Sequence, residues 1–442
     1  MNYECKRRYS ILFGILLILT GISQKALSQT PLTLDQAIER GLAQSLSLQK
    51  NTIDLETAEY AAEHLWSEIF PSISGSLGMS YGSNLFTGNS FQFAGTGFSY
   101  NLSLGINLSL NAGLPYSMKI ISLAYQTRLL EYENACRQLE IQVSKTFYAL
   151  IAEQERLTLL QESLNLTEKQ REKNRIAFQN GIISQREYLQ SQLSVETAKL
   201  NLSKAQVSYT SSMREFYTLL GLDIHDETLL EGTIEIEQIT ADPESLIQTY
   251  LSKRPDIVSQ RRTIERLEYT EKRTTLTGRA PSLSVSTQWR GSGSGDSGSK
   301  FTDNLSGSIS VSIPIDPWIP GTKTSQSIRS AGAEVEKAKL DLQNTENTAK
   351  NQIRSLTGNL QNFWNTIEIS QLRVSIAEQT YQLTERAFQT GAVEFLTLED
   401  TRTKLLEARQ QLLADTLAYK QGMLDLSGAL NLRWEEFMES VL

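Results

Sequence analysis

The chain has 442 residues, a formal net charge of −8 and 40% hydrophobic residues. That is enough for two or three ordinary domains or for one elongated architecture. The acidic balance argues against nucleic acid as a partner, because binding it needs a basic surface that displaces counterions. Of two cysteines, Cys5 lies in a segment expected to be removed, which leaves Cys136 without an internal disulfide partner. His64 and His225 lie far apart with no Cys or acidic cluster at ligand spacing, so no metal site is expected.

The amino terminus reads as an export address. Lys6, Arg7 and Arg8 precede an apolar run from Ile11 to Leu19, and Ala26-Leu27-Ser28 supplies small residues that a signal peptidase reads. Residues 1–28 are therefore expected to be a signal peptide, a retained amphipathic anchor being the alternative. The run is shorter than the about 20 residues a spanning helix needs. No later apolar run is long enough either, so a membrane-embedded part must be built of β-strands.

The chain is two copies of one unit. Ala177-Phe178-Gln179-Asn180-Gly181 recurs as Ala387-Phe388-Gln389-Thr390-Gly391, an offset of 210 residues. Pro71-Ser72-Ile73-Ser74 matches Pro281-Ser282-Leu283-Ser284, and Leu220-Gly221-Leu222 matches Leu430-Asn431-Leu432, at the same distance. The repeats span residues 33–222 and 242–432, joined by a linker at 223–241 with a possible short strand at Thr233–Ile236. Each unit reads as helix, two strands, very long helix, helix. Thr33 with Gln36 forms a capping box for the first entry helix, and Asp242-Pro243 opens the second. Both must stop before Pro71 and Pro281, because proline disfavours a helical residue ahead of it.

After each of these prolines the hydropathy alternates with period two. Ile73, Leu77, Met79 and Tyr81 oppose Ser72, Ser74, Ser76 and Ser80; Leu102, Leu104, Ile106, Leu108 and Leu110 oppose Ser103, Gly105, Asn107 and Ser109. The second unit repeats this with Leu283, Val285 and Trp289, then with Leu305, Ile309, Val311 and Ile313 against serines. Strands are expected at about 72–83, 99–111, 282–291 and 305–314, with exposed loops at Asn84–Tyr100 and Gly291–Asn304. The polar faces hold Ser, Gly and Asn rather than charge, and the lengths suit a tilted strand crossing hydrocarbon. A half-buried sheet of a soluble protein is the alternative. Open edges are costly in lipid, and four strands are too few for a closed barrel, so several copies must pool their strands.

The stretch from Tyr116 to Phe178 reads as one helix of roughly 95 Å. Its seam runs through Tyr125, Leu129, Tyr132, Cys136, Leu139, Val143, Thr146, Leu150, Glu153, Leu157, Leu160 and Leu164 at alternating four and three spacing. The second unit shows Leu342, Ala349, Ile353, Leu356, Leu360, Phe363, Ile367 and Val374; the helix after Gly181 shows Val195, Ala198, Leu202, Ala205, Tyr209, Phe216 and Leu219. Gly181 and Gly391 each end a long helix and precede another, so each pair folds back as a hairpin with its tip far from the strands. A plain coiled-coil stalk shares this periodicity.

The tandem repeat, the hairpin after each proline and the Ala-Phe-Gln-x-Gly tips together resemble the TolC-like outer membrane efflux family, over nearly the whole mature chain. The resemblance implies an α+β membrane protein whose trimer forms a 12-stranded β-barrel continued by an α-helical barrel, in the outer membrane of a Gram-negative bacterium with its helices in the periplasm. It also implies passive conduction in a tripartite efflux or type I secretion system. The partners would be outer-membrane lipid, a periplasmic adaptor and an inner-membrane pump of RND or ABC type. No cofactor and no enzymatic activity are implied. Carried across, the adaptor-contact tips fall on Gly181, Ile182, Ile183 and Ser184 and on Gly391, Ala392, Val393 and Glu394. The gate constriction falls on Glu187, Thr397 and Asp400. Thr397 departs from the family's acidic pattern, and Val393 stands where some members carry a basic gating residue. Glu399, a nearby acid, reads as part of a solvated helix face, with a contribution to the constriction as the alternative. Tyr81, Phe98, Tyr100 and Trp289 lie near strand ends, where aromatics favour the membrane–water boundary.

A structural envelope protein, a coiled-coil stalk with a β-anchor and no lumen, is the competing class. The Ser-rich face favours a duct, since a solid anchor should fill its interior with larger side chains. No nucleophile–base pair or metal cluster is present, and Gly291–Gly298 lacks the following helix that a phosphate cradle needs.

Overall fold

A computed structural model describes residues 32–87, 90–222, 230–294 and 300–441, with only the backbone at 82–87 and 90–97. The expected signal peptide, His225 and the segments 88–89, 223–229 and 295–299 lie outside the described residues.

Helix α1 (Leu34–Gln44) begins where the backbone N–H of Thr33 donates to Gln36 Oε1 at 3.4 Å. What the sequence reads as one entry helix is two in each repeat. Ser45, extended at φ −60° and ψ 123°, separates α1 from α2 (Leu46–Glu63). In the second repeat α5 (Pro243–Tyr250) and α6 (Pro255–Arg279) part at Arg254, which Pro255 pushes out of the helical region. Asp242 caps α5 as expected, its carboxylate accepting from Ser245 N–H at 2.9 Å.

The strands β1 (Ser72–Thr87), β2 (Ser90–Asn111), β3 (Ser282–Ser294) and β4 (Thr302–Ser312) form one antiparallel sheet in the order β1-β2-β3-β4. Of the expected loop at Asn84–Tyr100, residues 84–87 and 90–100 are instead strand: β1 and β2 stay paired to Thr87↔Ser90, through register shifts after Tyr81 and Asn84. Likewise β3 and β4 pair out to Ser292↔Thr302. Gly, Ser, Asn and Thr read as loop residues, but none blocks a ladder, and two strands already in register extend it readily. Conversely β4 ends at Ser312 rather than at 314, because Pro314 has no N–H for the ladder.

The register sorts the faces cleanly. Leu77↔Leu102, Leu104↔Trp289, Leu108↔Val285 and Val285↔Ile309 share one face; Ser76↔Ser103, Ser286↔Ser308 and Gln288↔Ser306 share the other. Leu77, Met79, Leu104, Leu305, Ile309 and Val311 are all exposed, so nothing in a single chain covers the apolar face. Side chains bridge the strands on the polar face, where Ser76 Oγ meets Ser103 Oγ at 2.7 Å and Ser286 Oγ meets Ser308 Oγ at 2.8 Å.

Helix α3 (Leu114–Gln179, 66 residues) carries Pro115 in its first turn, where a missing N–H costs nothing. It folds back into α4 (Gln185–Leu220); α7 (Lys323–Gln389, 67 residues) folds back into α8 (Phe395–Leu430). Each long helix extends about 100 Å. The 210-residue offset is kept to the residue in α4 and α8 and at the Ser72 and Ser282 strand starts. Of the expected seams, Leu139, Val143, Leu150, Leu160, Leu164, Val195, Leu202, Ile353, Leu360 and Ile367 are buried. Phe147, Ile151 and Tyr419 are buried as well, because each long helix packs on more than one neighbour and a single heptad stripe undercounts its contacts.

One core clusters around Val143, Phe147, Phe216 and Leu220, and another around Ile353, Tyr419, Leu426 and Phe437. Each such side chain contributes about 1.5–3 kcal/mol by burial. Phe437 belongs to α9 (Trp434–Val441), a short helix that the repeat pattern does not announce. The expected strand at Thr233–Ile236 does not form. The described part of the linker makes one parallel bridge, Leu230 with Leu32, and beyond it side chains of α8 serve the backbone. Ile239 N–H donates to Tyr419 Oη at 3.1 Å, Tyr419 Oη–H donates to Glu237 O at 2.8 Å, and Lys420 Nζ donates to Glu235 O at 3.2 Å. Lys420 Nζ lies 5.0 Å from the Tyr148 ring centre and 4.3 Å from that of Trp434, which offsets its burial.

Candidate functional site

The two hairpin tips share one backbone design. Asn180 caps α3, and Gly181 turns left-handed at φ 70°, so that Gly181 N–H reaches Phe178 O at 2.9 Å and Ile182 N–H reaches Ala177 O at 2.9 Å. Gly391, at φ 74°, repeats this with Phe388 O at 3.0 Å and Ala387 O at 2.8 Å. These paired bonds satisfy the last helical carbonyls, and the left-handed residue that makes them possible is glycine at little cost. No atom lies within 4 Å of a Cβ built at either glycine, so conformation rather than space demands it.

Past the tips the repeats diverge. Ser184 caps α4 in a reciprocal box: Glu187 N–H donates to Ser184 Oγ at 3.3 Å, while Ser184 N–H and Oγ–H donate to Glu187 Oε2 at 2.8 and 2.9 Å. These hydrogen bonds hold the Glu187 carboxyl below its ordinary pKa. In the second tip Thr397 stands at the matching position, and its N–H donates to Glu394 O at 3.1 Å. Asp400 pairs with Lys404 at 2.6 Å on the exposed side of α8. Gly181, Ile182, Ser184, Gly391, Ala392 and Glu394 are exposed at the ends of the hairpins, with Ile183 and Val393 half-buried. The structure thus brings the tip residues to the ends of two hairpins, with Glu187 in the first turn of α4 and Thr397 and Asp400 three residues apart near the start of α8.

The expectation for Glu399 is overturned. Its side chain is 13% exposed, held by Arg402 Nη2 at 2.6 Å, and burial pushes its carboxyl up against the opposing pull of Arg402. It sits beside Ser194 of α4, so it belongs to the seam between the hairpins rather than to a solvated face. An acid and a base three residues apart mark a helical ion pair in the sequence; that the pair is covered is a tertiary fact.

On the sheet, Trp289 lies within β3 and donates Nε1–H to Asp303 Oδ2 at 3.2 Å. Tyr100 and Phe301 stack at 6.4 Å towards the far end of the strands. Trp66 and Phe70 before β1, and Ile315 and Trp318 after β4, form exposed apolar surface at the near end. Among the described residues, no helix is long and apolar enough to cross a membrane.

The outer membrane efflux protein model matches residues 37–222 and 246–432. Two Pseudomonas putida proteins, the probable efflux pump outer membrane protein TtgC and the antibiotic efflux pump outer membrane protein ArpC, are each 24% identical over 420 residues, covering 91% of this chain and 84% of their own. In structure the chain is similar to the Campylobacter jejuni CmeC outer membrane channel, with a TM-score of 0.72, 17% identity and coverage of 95% of this chain and 93% of that one. It is also similar to the open state of the Neisseria gonorrhoeae MtrE outer membrane channel, with a TM-score of 0.69, 16% identity and coverage of 90% and 89%. A two-faced sheet set on paired long hairpins, together with these likenesses, defines an outer-membrane channel for efflux, a class of transport proteins rather than of enzymes. The chain belongs to the outer membrane efflux protein family.

Proposed function

We propose that three copies form one duct, in which the open edges of β1 and β4 pair between copies to close a twelve-stranded barrel around water. The observation that carries this is the sheet itself: four strands, two unpaired edges, an exposed apolar face and a Ser-rich face. Unpaired backbone groups in hydrocarbon cost several kcal/mol each, so these edges need partners. The helices support the same reading. Leu189, Leu193, Leu200 and Val207 on α4, and Ile369, Leu372, Ile376 and Leu383 on α7, leave apolar stripes exposed at near-heptad spacing. Packed against each other between copies, they continue the barrel as a helical tunnel.

In this reading the tips at Gly181–Ser184 and Gly391–Glu394 face the periplasm and meet an adaptor, which couples the duct to an inner-membrane pump. Glu187, Thr397 and Asp400 narrow the entrance, where a three-fold axis turns each carboxylate into a ring that attracts cations. Val393 contributes no basic lock, so the contacts closing the tips differ from those of members with a basic residue there. Conduction is passive, with energy supplied by the pump. Organic molecules of the kind named for the relatives, antibiotics among them, are the first cargo to test.

Ion conductance of the purified protein in planar bilayers tests the duct. Discrete channels are expected, with larger steps once Glu187 and Asp400 are both replaced by alanine. A detergent-extracted protein that stays monomeric, or that never conducts in either form, would leave the envelope stalk standing instead.

A further inference from the structure

The polar face of the sheet is almost free of charge. From Ser72 to Met118 the sequence contains no Asp, Glu, Lys, Arg or His. Along β3 and β4 the register places Ser282, Ser284, Ser286, Gln288, Arg290 and Ser292 on the same face as Thr302, Asn304, Ser306, Ser308, Ser310 and Ser312. Among the described strand residues with side chains, Arg290 is the one charge on that face. It pairs in register with Ser103 of β2 and Asn304 of β4, both uncharged. The nearest strand carboxylate, Asp303, is registered with Gly291 on the opposite face and is engaged by Trp289 Nε1–H at 3.2 Å. Arg290 is exposed.

We propose that Arg290 sets the charge preference of the barrel lumen, forming a cationic ring that favours anionic over cationic solutes on their way out. The ring rests on the three-copy reading above. Arg290 lies eight residues beyond the start of β3, about 26 Å along the strand and roughly 20 Å up a barrel tilted near 40°. That is the level of Trp289 and Ser103, three residues short of the Tyr100↔Gly293 pair, towards the outer mouth. A guanidinium stays charged at any physiological pH, and a wall of hydroxyls and amides supplies nothing to neutralise it. Rings of Arg or Lys select anions in other pores for the same reason. In a wide lumen the effect depends on salt: the Debye length is about 30 Å at 0.01 M and about 3 Å at 1 M, so the ring acts across the passage only when salt is low.

The test reads the potential beside Arg290 without passing current through the tips. In the assembled protein, with Cys136 replaced by Ser, Ser103→Cys puts a thiol at the register partner of Arg290. Its reaction rates are measured with an anionic sulfonatoethyl and a cationic trimethylammonioethyl methanethiosulfonate. The anion-to-cation rate ratio, normalised to a free thiol, is expected to fall about 3- to 10-fold on Arg290→Gln at low salt. Arg290→Lys should keep the ratio, Arg290→Glu should invert it, and all variants should converge at 1 M salt. A ratio unchanged in Arg290→Gln, with the thiol reactive, overturns the role of Arg290 and leaves the duct intact. A thiol that reacts with neither reagent in the assembled protein shows that this face lines no water, and overturns the duct reading together with the ring.

Discussion

The Arg402 guanidinium grips one oxygen of Glu399 at 2.6 Å, with only 12% and 13% of the two side chains exposed, while the other oxygen, Oε1, is buried without a hydrogen bond. The Ser194 hydroxyl beside it donates to Gln190 O at 3.1 Å. Tyr381 of α7 lies within electrostatic reach of both charges. Burial raises the Glu399 carboxyl, while Arg402 and the Ser194 hydroxyl lower it, with a net upward shift. A raised folded-state pKa means that the contribution is fully present below the unfolded value of about 4.3 and is lost as pH rises through the raised one. Contact between α4 and α8 near the tips should therefore tighten from neutral pH into the acid range. Spin labels on the two helices should give a narrower distance distribution at pH 5 than at pH 7.5, and Glu399→Gln should abolish the difference. Identical distributions in the parent protein would count against it.

Glu187 titrates in the opposite sense. Its folded-state pKa is depressed by hydrogen bonds from Ser184, so its contribution is present above the unfolded value and lost as pH falls through the lowered one. At neutral pH, Glu187→Ala should remove one half of the cap, about 1 kcal/mol of local stability, and raise proteolytic nicking near Ser184 several-fold. Glu187→Gln keeps an acceptor for Ser184 N–H and should nick at close to the parent rate. Equal rates in both variants would show that the box does not hold the tip.

The left-handed glycines should differ in tolerance. A Cβ at Gly221 would stand 2.4 Å from Gln44 O, whereas nothing lies within 4 Å at Gly391. Asn431 occupies the place matching Gly221 in the second repeat, at φ 58°, so asparagine can adopt this backbone where space allows. Gly221→Asn is expected to cost about 1–3 kcal/mol and Gly391→Asn well under 1. The thermal unfolding midpoints of the two variants decide it, and equal losses would mean that backbone strain alone governs both sites.

The exposed stripes on α4 and α7 make a prediction about assembly. Leu193→Glu or Leu372→Glu puts a charge on an apolar seam and should shift the detergent-solubilised protein from trimer to monomer in size-exclusion light scattering. Glu196→Gln, beside the stripe but already exposed, should not. Intact trimers in both stripe variants would place the interface elsewhere.

Loss of the entrance carboxylates should be visible electrically. Replacing Glu187 and Asp400 together is expected to weaken block by divalent cations as well as to raise conductance, since each ring contributes negative potential at the narrowest point. Unchanged block would take both residues out of the gate.

Much of this protein is decided by local periodicity. Alternation at Ile73–Tyr81 and Leu102–Leu110, the four-and-three spacing of the long helices, Pro71 and Pro281 as stops and Gly181 and Gly391 as turns all act through neighbours a few residues away. A reading along the chain therefore recovers the two-fold repeat, the strands and the hairpins. What depends on distant partners could be settled only by the folded chain. The hairpin β1–β2 runs through apparent loop residues because a paired strand extends its ladder. The linker at 230–241 forms no strand because Tyr419 and Lys420, far along the sequence, serve its backbone. Glu399 looks solvated in sequence and is covered because Arg402, Tyr381 of α7 and Ser194 of α4 lie against it. Side-chain pattern encodes which face a residue presents, but what lies against that face is set by packing between segments that the pattern does not connect.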